Sequence, residues 1–200
     1  VTERPTSPAA RAAGGTRNRL IGVLSFVIVV VVAVIVGGVI WSHSQPAGDT
    51  GPVAVGAAPA PGAGGKNCTA LMTALPAQLA GSARREVIGS PTGVAAWGDP
   101  AITLRCGLPT PQELTCSAGL VQLSNANGQP GVLWLQQSEG GQTTYLAADR
   151  PVRIAVTLPD NAGTGPIQEL SSVISGVLPS TADAQGHICT DGTLHPTVDG

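Results

Sequence analysis

The sequence predicts an α+β fold: an antiparallel sheet with two amphipathic helices on one face, preceded by one transmembrane helix and a disordered linker. Three observations predict it. Twenty-two consecutive residues, Leu20 to Trp41, carry no charge. Residues 42–67 are dominated by Pro, Gly and Ala and show no hydrophobic period. Beyond them, two segments of helical period flank several short segments that alternate apolar and polar residues. The strand connections suit hairpins, and one-faced strands with one-faced helices are satisfied together by two packed layers.

Residues 1–19 form a basic tail, in which Arg4, Arg11, Arg17 and Arg19 stand against Glu3 for a net +3. Val1 fits a GTG start codon and so an N-terminus that is complete. As a helix, residues 20–41 reach about 33 Å, enough for a hydrocarbon core of about 30 Å. Arg17 and Arg19 abut one end and Trp41 the other, so the positive-inside rule keeps the N-terminus cytoplasmic and the C-terminal part outside the cell membrane. A cleaved signal peptide has an apolar region of about 7 to 15 residues, shorter than this one, and an uncleaved single-pass anchor is the reading adopted. Residues 42–67 lack the apolar surface to order themselves and are read as a spacer.

The extracytoplasmic domain is placed at 68–189. Leu71, Met72, Leu75 and Leu79 share a helical face, with Asn67 as cap, Gly81 as stop and Pro76 as a kink. After the polar stretch GSARREVIGSPTG come VAAW, a Gly98-Asp99-Pro100 turn, and AITLRCG. In AITLRCG, Ile102, Leu104 and Cys106 point inward and Thr103 and Arg105 outward. A short strand near 120–123 and a hairpin of VLWLQ with TTYLAA across Gly140 and Gly141 follow. VRIAVTL then places Val152, Ile154, Val156 and Leu158 inward and Arg153 and Thr157 outward. Pro166 opens a helix with Ile167, Leu170, Ile174, Val177 and Leu178 on one face, and Pro179 stops it. Residues 180–200 show no periodicity apart from Cys189, and 190–200 are read as a flexible tail.

Cys68, Cys106, Cys116 and Cys189 all follow the predicted span, where disulfides persist. Of three connectivities, Cys106 with Cys116 and Cys68 with Cys189 are preferred, since the first pair flanks one loop and the second ties the ends of the domain. His187, Cys189 and His195 lack paired ligand spacing, so no metal and no cofactor are expected. Residues after the span carry five Arg and Lys66 against eleven acids, a net −5, with Trp97, Trp134 and Tyr145 as the large aromatics. Nucleic acid is thereby excluded as a partner. There is no G-x-S-x-G, and S-x-x-K is impossible with Lys66 as the single lysine.

Several stretches carry a family resemblance. They are Cys68 heading a Leu-rich helix, the run Trp97-Gly98-Asp99-Pro100-Ala101-Ile102 leading to Leu104-Arg105-Cys106-Gly107, then Trp134, Asp149-Arg150 and Leu170-Ser171. The chain resembles the actinobacterial family of domain of unknown function 3515 over most of 68–189. The resemblance implies an envelope location and no particular activity, and the segment from Cys116 to Trp134 is longer than the family pattern. The expected function is that of a membrane-anchored envelope protein whose non-catalytic outer domain binds or scaffolds a protein partner or cell-wall component. Its candidate binding residues are Trp97, Asp99, Arg105, Asp149, Arg150 and Arg153, with Arg105 and Arg153 presented on one sheet face. Two alternatives stand beside it: an envelope enzyme in which His187 activates a Cys189 nucleophile, and a purely structural spacer.

Overall fold

A computed structural model describes residues 51–123 and 131–195, which fall in the second of the two units into which the chain divides, Gly48–Gly200. An eight-stranded antiparallel sheet dominates it. The strands are β1 (Gln78–Leu79), β2 (Ser82–Arg85), β3 (Val94–Trp97), β4 (Ile102–Leu108), β5 (Leu120–Leu123), β6 (Val132–Glu139), β7 (Gln142–Ala147) and β8 (Arg153–Pro159). Their order is β1-β2-β3-β4-β8-β7-β6-β5, so two four-stranded meanders join where β4 meets β8. Two helices, α1 (Lys66–Ala74) and α2 (Gly165–Val177), and a small hairpin, β9 (Cys189–Thr190) with β10 (Thr193–Leu194), complete the described elements.

The expected class is corrected in its membrane part. Among the described residues no helix is long and apolar enough to cross a membrane, and the predicted span at 20–41 lies outside the described residues. The described fold is mostly antiparallel sheet with two helices.

Alternation decides which way each strand faces. Ile102, Leu104 and Cys106 on β4 and Ile154, Val156 and Leu158 on β8 are buried with Trp97, Trp134, Leu71 of α1 and Ile167, Leu170 and Ile174 of α2 in one core. α1 is shorter than its periodicity suggests. Pro76 disfavours a helical conformation at Leu75, the chain turns extended there, and Leu79 reaches the core from β1 instead. Gly140 and Gly141 have φ of 60° and 77°, the double positive φ of the tight turn that joins β6 to β7.

The opposite sheet face is covered over β5–β8 by a second apolar cluster. Leu114 and Ile188 lie there against Leu133, Leu135, Leu146 and Ala155. Residues 180–195, read from sequence as loose, are therefore the cover of that face up to Leu194. Thr181 N–H donates to Asp149 O at 2.8 Å, and His195 N–H to Ile188 O at 2.8 Å.

The disulfides correct the preferred connectivity. Cys68 is bonded to Cys106, and Cys116 to Cys189. The first joins α1 to β4 inside the core, because both cysteines point to the helix face; the second staples the C-terminal cover over the other face. Replacing Cys116 and Cys189 together by Ser is expected to lower unfolding free energy by about 3 kcal/mol. The check is the denaturant midpoint of the full chain, and an unmoved midpoint would show that the staple contributes nothing.

The stretch read as spacer is ordered from Gly51 onward. Val53 makes a parallel bridge with Val87, with Val53 N–H donating to Glu86 O at 2.8 Å and Ile88 N–H to Val53 O at 2.9 Å. Arg85 donates from Nε to Gly51 O at 3.0 Å, and Gly62 N–H donates to Gly107 O at 3.1 Å. Side-chain poverty does not prevent this order, since backbone hydrogen bonds and close glycine packing hold the strap in place of a hydrophobic face.

Candidate functional site

β4 and β8 are neighbours, with Arg105 opposite Ala155 and Leu108 opposite Arg153. Ala155 and Arg153 are two apart on β8, so Arg105 and Arg153 lie on the same sheet face, away from the helices. Their surroundings differ. Arg153 is 2 % exposed; its Nη1 donates to Ala148 O at 2.7 Å and its Nε to Thr110 Oγ1 at 3.2 Å. Burial holds the Arg153 guanidinium below its ordinary value, while the Asp149 carboxylate pulls the other way. Arg153 lines a small cleft of about 280 Å³ with Pro61, Gly62 and Gly107. The shared presentation of both cations to a partner, as expected from strand parity, is thus corrected: parity holds, but Arg153 is buried and bonded to the Ala148 carbonyl and the Thr110 hydroxyl.

Asp149 and Arg150 form a buried ion pair at 2.6 Å. Asp149 Oδ1 accepts Leu133 N–H at 3.0 Å, and its Oδ2 accepts the Ser180 hydroxyl at 2.9 Å. Arg150 Nη2 donates to Ser175 Oγ at 2.9 Å and to Gly131 O at 3.3 Å. Both residues are candidates for a binding face on the sequence. The pair is instead a buried clamp between the β7–β8 turn, α2 and the C-terminal cover. Trp97 also leaves the candidate set: it is fully buried, its indole N–H donates to Pro76 O at 3.0 Å, and the Arg84 guanidinium sits 5.8 Å from its ring centre. Asp99 is exposed in the β3–β4 turn. That turn precedes β4 while Asp149 precedes β8, and the antiparallel register puts the two aspartates at opposite ends of the sheet.

Arg105 alone of the six opens onto a sizeable groove. The groove holds about 710 Å³, within the range of small-ligand sites. Thr103, Arg105 and Thr157 form its floor. Strap residues Val53 to Gly56 make one wall, and Gly140 to Gln142 with Asp160 and Asn161 bound the far end. Arg105 Nη2 donates to Gly56 O, and Thr157 and Thr144 share a hydrogen bond at 2.9 Å. The outward parity of Thr103, Arg105 and Thr157 is legible in the sequence. Gln142, Asp160 and the strap carry no sequence signal of a site, because only the sheet order brings them beside β4.

Cys189, the alternative nucleophile, is bonded to Cys116 and holds no thiol in this structure. His187 pairs its Nδ1 with Asp183 Oδ2 at 2.9 Å in an exposed turn. The backbone N–H of His187, joined by that of Gln185 and by the His187 ring, holds the Asp183 carboxyl below its ordinary value. Among the described residues no group of His, Cys, Asp and Glu is placed to hold a metal ion.

No curated protein and no solved structure matches the chain. The match to a protein family begins at residue 24 and ends at 182, so it takes in the strap, the groove floor and the Asp149–Arg150 clamp. The family is described as a protein of unknown function (DUF3515), its match covers more than half of the chain, and the chain belongs to it.

Proposed function

We propose that this protein is a cell-envelope protein anchored in the cell membrane by its N-terminal part, with its C-terminal domain outside, and that the domain is a non-catalytic binding module for a protein partner or cell-wall component. The observation that carries the binding role is the groove of about 710 Å³ over Thr103, Arg105 and Thr157 on the sheet face away from the helices. Its lining mixes apolar strap residues with the polar side chains of Thr103, Arg105, Gln142, Thr157, Asp160 and Asn161, and its floor is two central strands, which suits recognition. The two disulfides support the outer location, because such bonds persist in oxidising compartments. The basic tail and uncharged run at 17–41 support the anchoring and its direction.

The test uses the full chain in cells. A reporter active only outside the cytoplasm, fused after Gly200, is expected to work, and the fusion is expected to stay with membranes through alkaline extraction. A photo-crosslinker placed at Gln142 is expected to capture one discrete species, and one placed at exposed Glu113, away from the groove, is not. Soluble fusion protein, a silent reporter, or equal capture from both positions overturns the corresponding part of the proposal.

A further inference from the structure

We propose that the groove seats a short extended peptide with its carboxylate end at Arg105 and its amino end at Asp160. This deepens the binding role above and rests on it.

Length comes first. Arg105 lies opposite Ala155, and Asp160 follows five positions later, just past β8. At about 3.3 Å per residue the two backbone positions stand about 16 Å apart, the span of about five extended residues.

Charge gives the direction. Among the described residues neither Arg105 nor Asp160 forms an ion pair. Arg105 gives one N–H to Gly56 O and keeps the rest of its fork for a carboxylate, the bidentate partner that a guanidinium fits. Asp160 is exposed and accepts only a long 3.4 Å bond from Thr143 at its side chain. A cation at one end and an anion at the other select a ligand that is acid at one end and amine at the other.

The strap gives the polymer class. The protein already lays an extended piece of itself here, with the carbonyls of Gly51 and Gly56 on Arg85 and Arg105. Ala54 and Val55 line the groove, and their backbone groups make no hydrogen bond among the described residues. An extended peptide laid beside them takes up those groups as an added strand would, with the Thr103 and Thr157 hydroxyls beneath. No aromatic ring lines the groove, so ring stacking plays no part, and hydrogen bonds and charge fix the direction of the peptide.

The probe is unblocked penta-alanine, titrated calorimetrically into the full chain in detergent micelles. Amidating its C-terminus or acetylating its N-terminus is expected to weaken binding at least about tenfold each. In Arg105→Gln, amidation is expected to have no further effect; in Asp160→Asn, acetylation is expected to have none. Among the described residues Asp160 makes no hydrogen bond to the strap, so its variant keeps the test alive if Arg105→Gln loosens the strap. Equal affinity for blocked and unblocked peptides, or no binding at millimolar peptide, overturns the assignment. If the Gln142 crosslink persists in that case, the binding role survives without the peptide; if it is lost too, both fall.

Discussion

Gly107→Ala is expected to cost about 5 kcal/mol of folding stability, beyond the range of ordinary single substitutions. Gly107 has φ of +88°, a conformation that L side chains rarely adopt. A Cβ there would overlap Ala63 N and Gly62 C and lie 2.6 Å from Ala63 Cα. These are backbone atoms, with no flexible side chain to give way. The backbone strain contributes about 1–3 kcal/mol, and forcing the strap off its seat contributes a similar amount through overpacking and the lost bond from Gly62 N–H to Gly107 O. Gly81→Ala separates the two causes, because Gly81 has φ of +83° and nothing within 4 Å of its added Cβ. It is expected to cost about 1–2 kcal/mol, the conformational part alone. The measurement is chemical denaturation of the full chain and both variants. Equal losses at the two positions would mean that the strap does not bear on β4, and that one wall of the groove is not fixed.

That glycine shows where the sequence is legible and where it is not. β4 and β8 carry period-2 alternation along most of their length, so the inward sets Ile102, Leu104, Cys106 and Ile154, Val156, Leu158 are visible without a structure. α2 is visible for the same reason at period 3.6, and the β6–β7 turn through its paired glycines. β2 is not, because Ser82–Arg85 puts an arginine on each face and a charged strand near a sheet edge reads as loop. The strap and the C-terminal cover are not legible either. Their order comes from backbone pairing and from single anchors such as Ile188 and Ala63, which leave no period behind. Connectivity of the cysteines failed for a related reason. Cys68 and Cys106 share the inward face of two elements that lie far apart in sequence, and sequence proximity favours Cys106 with Cys116. Arg105 was legible as an outward cation on a central strand, whereas the charge of Asp149-Arg150-Pro151 imitates a surface turn and conceals that the turn is roofed by α2 and the tail.

Asp149→Ala is expected to cost about 4 kcal/mol, because it removes the partner of a charge that stays buried. Arg150 is 2 % exposed, its Nε has no partner among the described residues, and Asp149 is the only carboxylate it pairs with there. Losing Asp149 also leaves Leu133 N–H and the Ser180 hydroxyl without their acceptor. Arg150→Met is expected to cost less, about 3 kcal/mol, since it strands the carboxylate but leaves it the Leu133 and Ser180 donors. The double variant is expected to fall well short of the sum, with a coupling of about 2 kcal/mol, because removing both charges removes the desolvation problem that each single change exposes. A cycle of denaturation midpoints over the four proteins reads this directly. Strict additivity would mean that Asp149 and Arg150 act separately, Asp149 through the C-terminal cover and Arg150 through α2. The coupled result would mean that the two anchor points are held by one charge pair, so that α2 and the cover over the opposite sheet face come loose together when either member is lost.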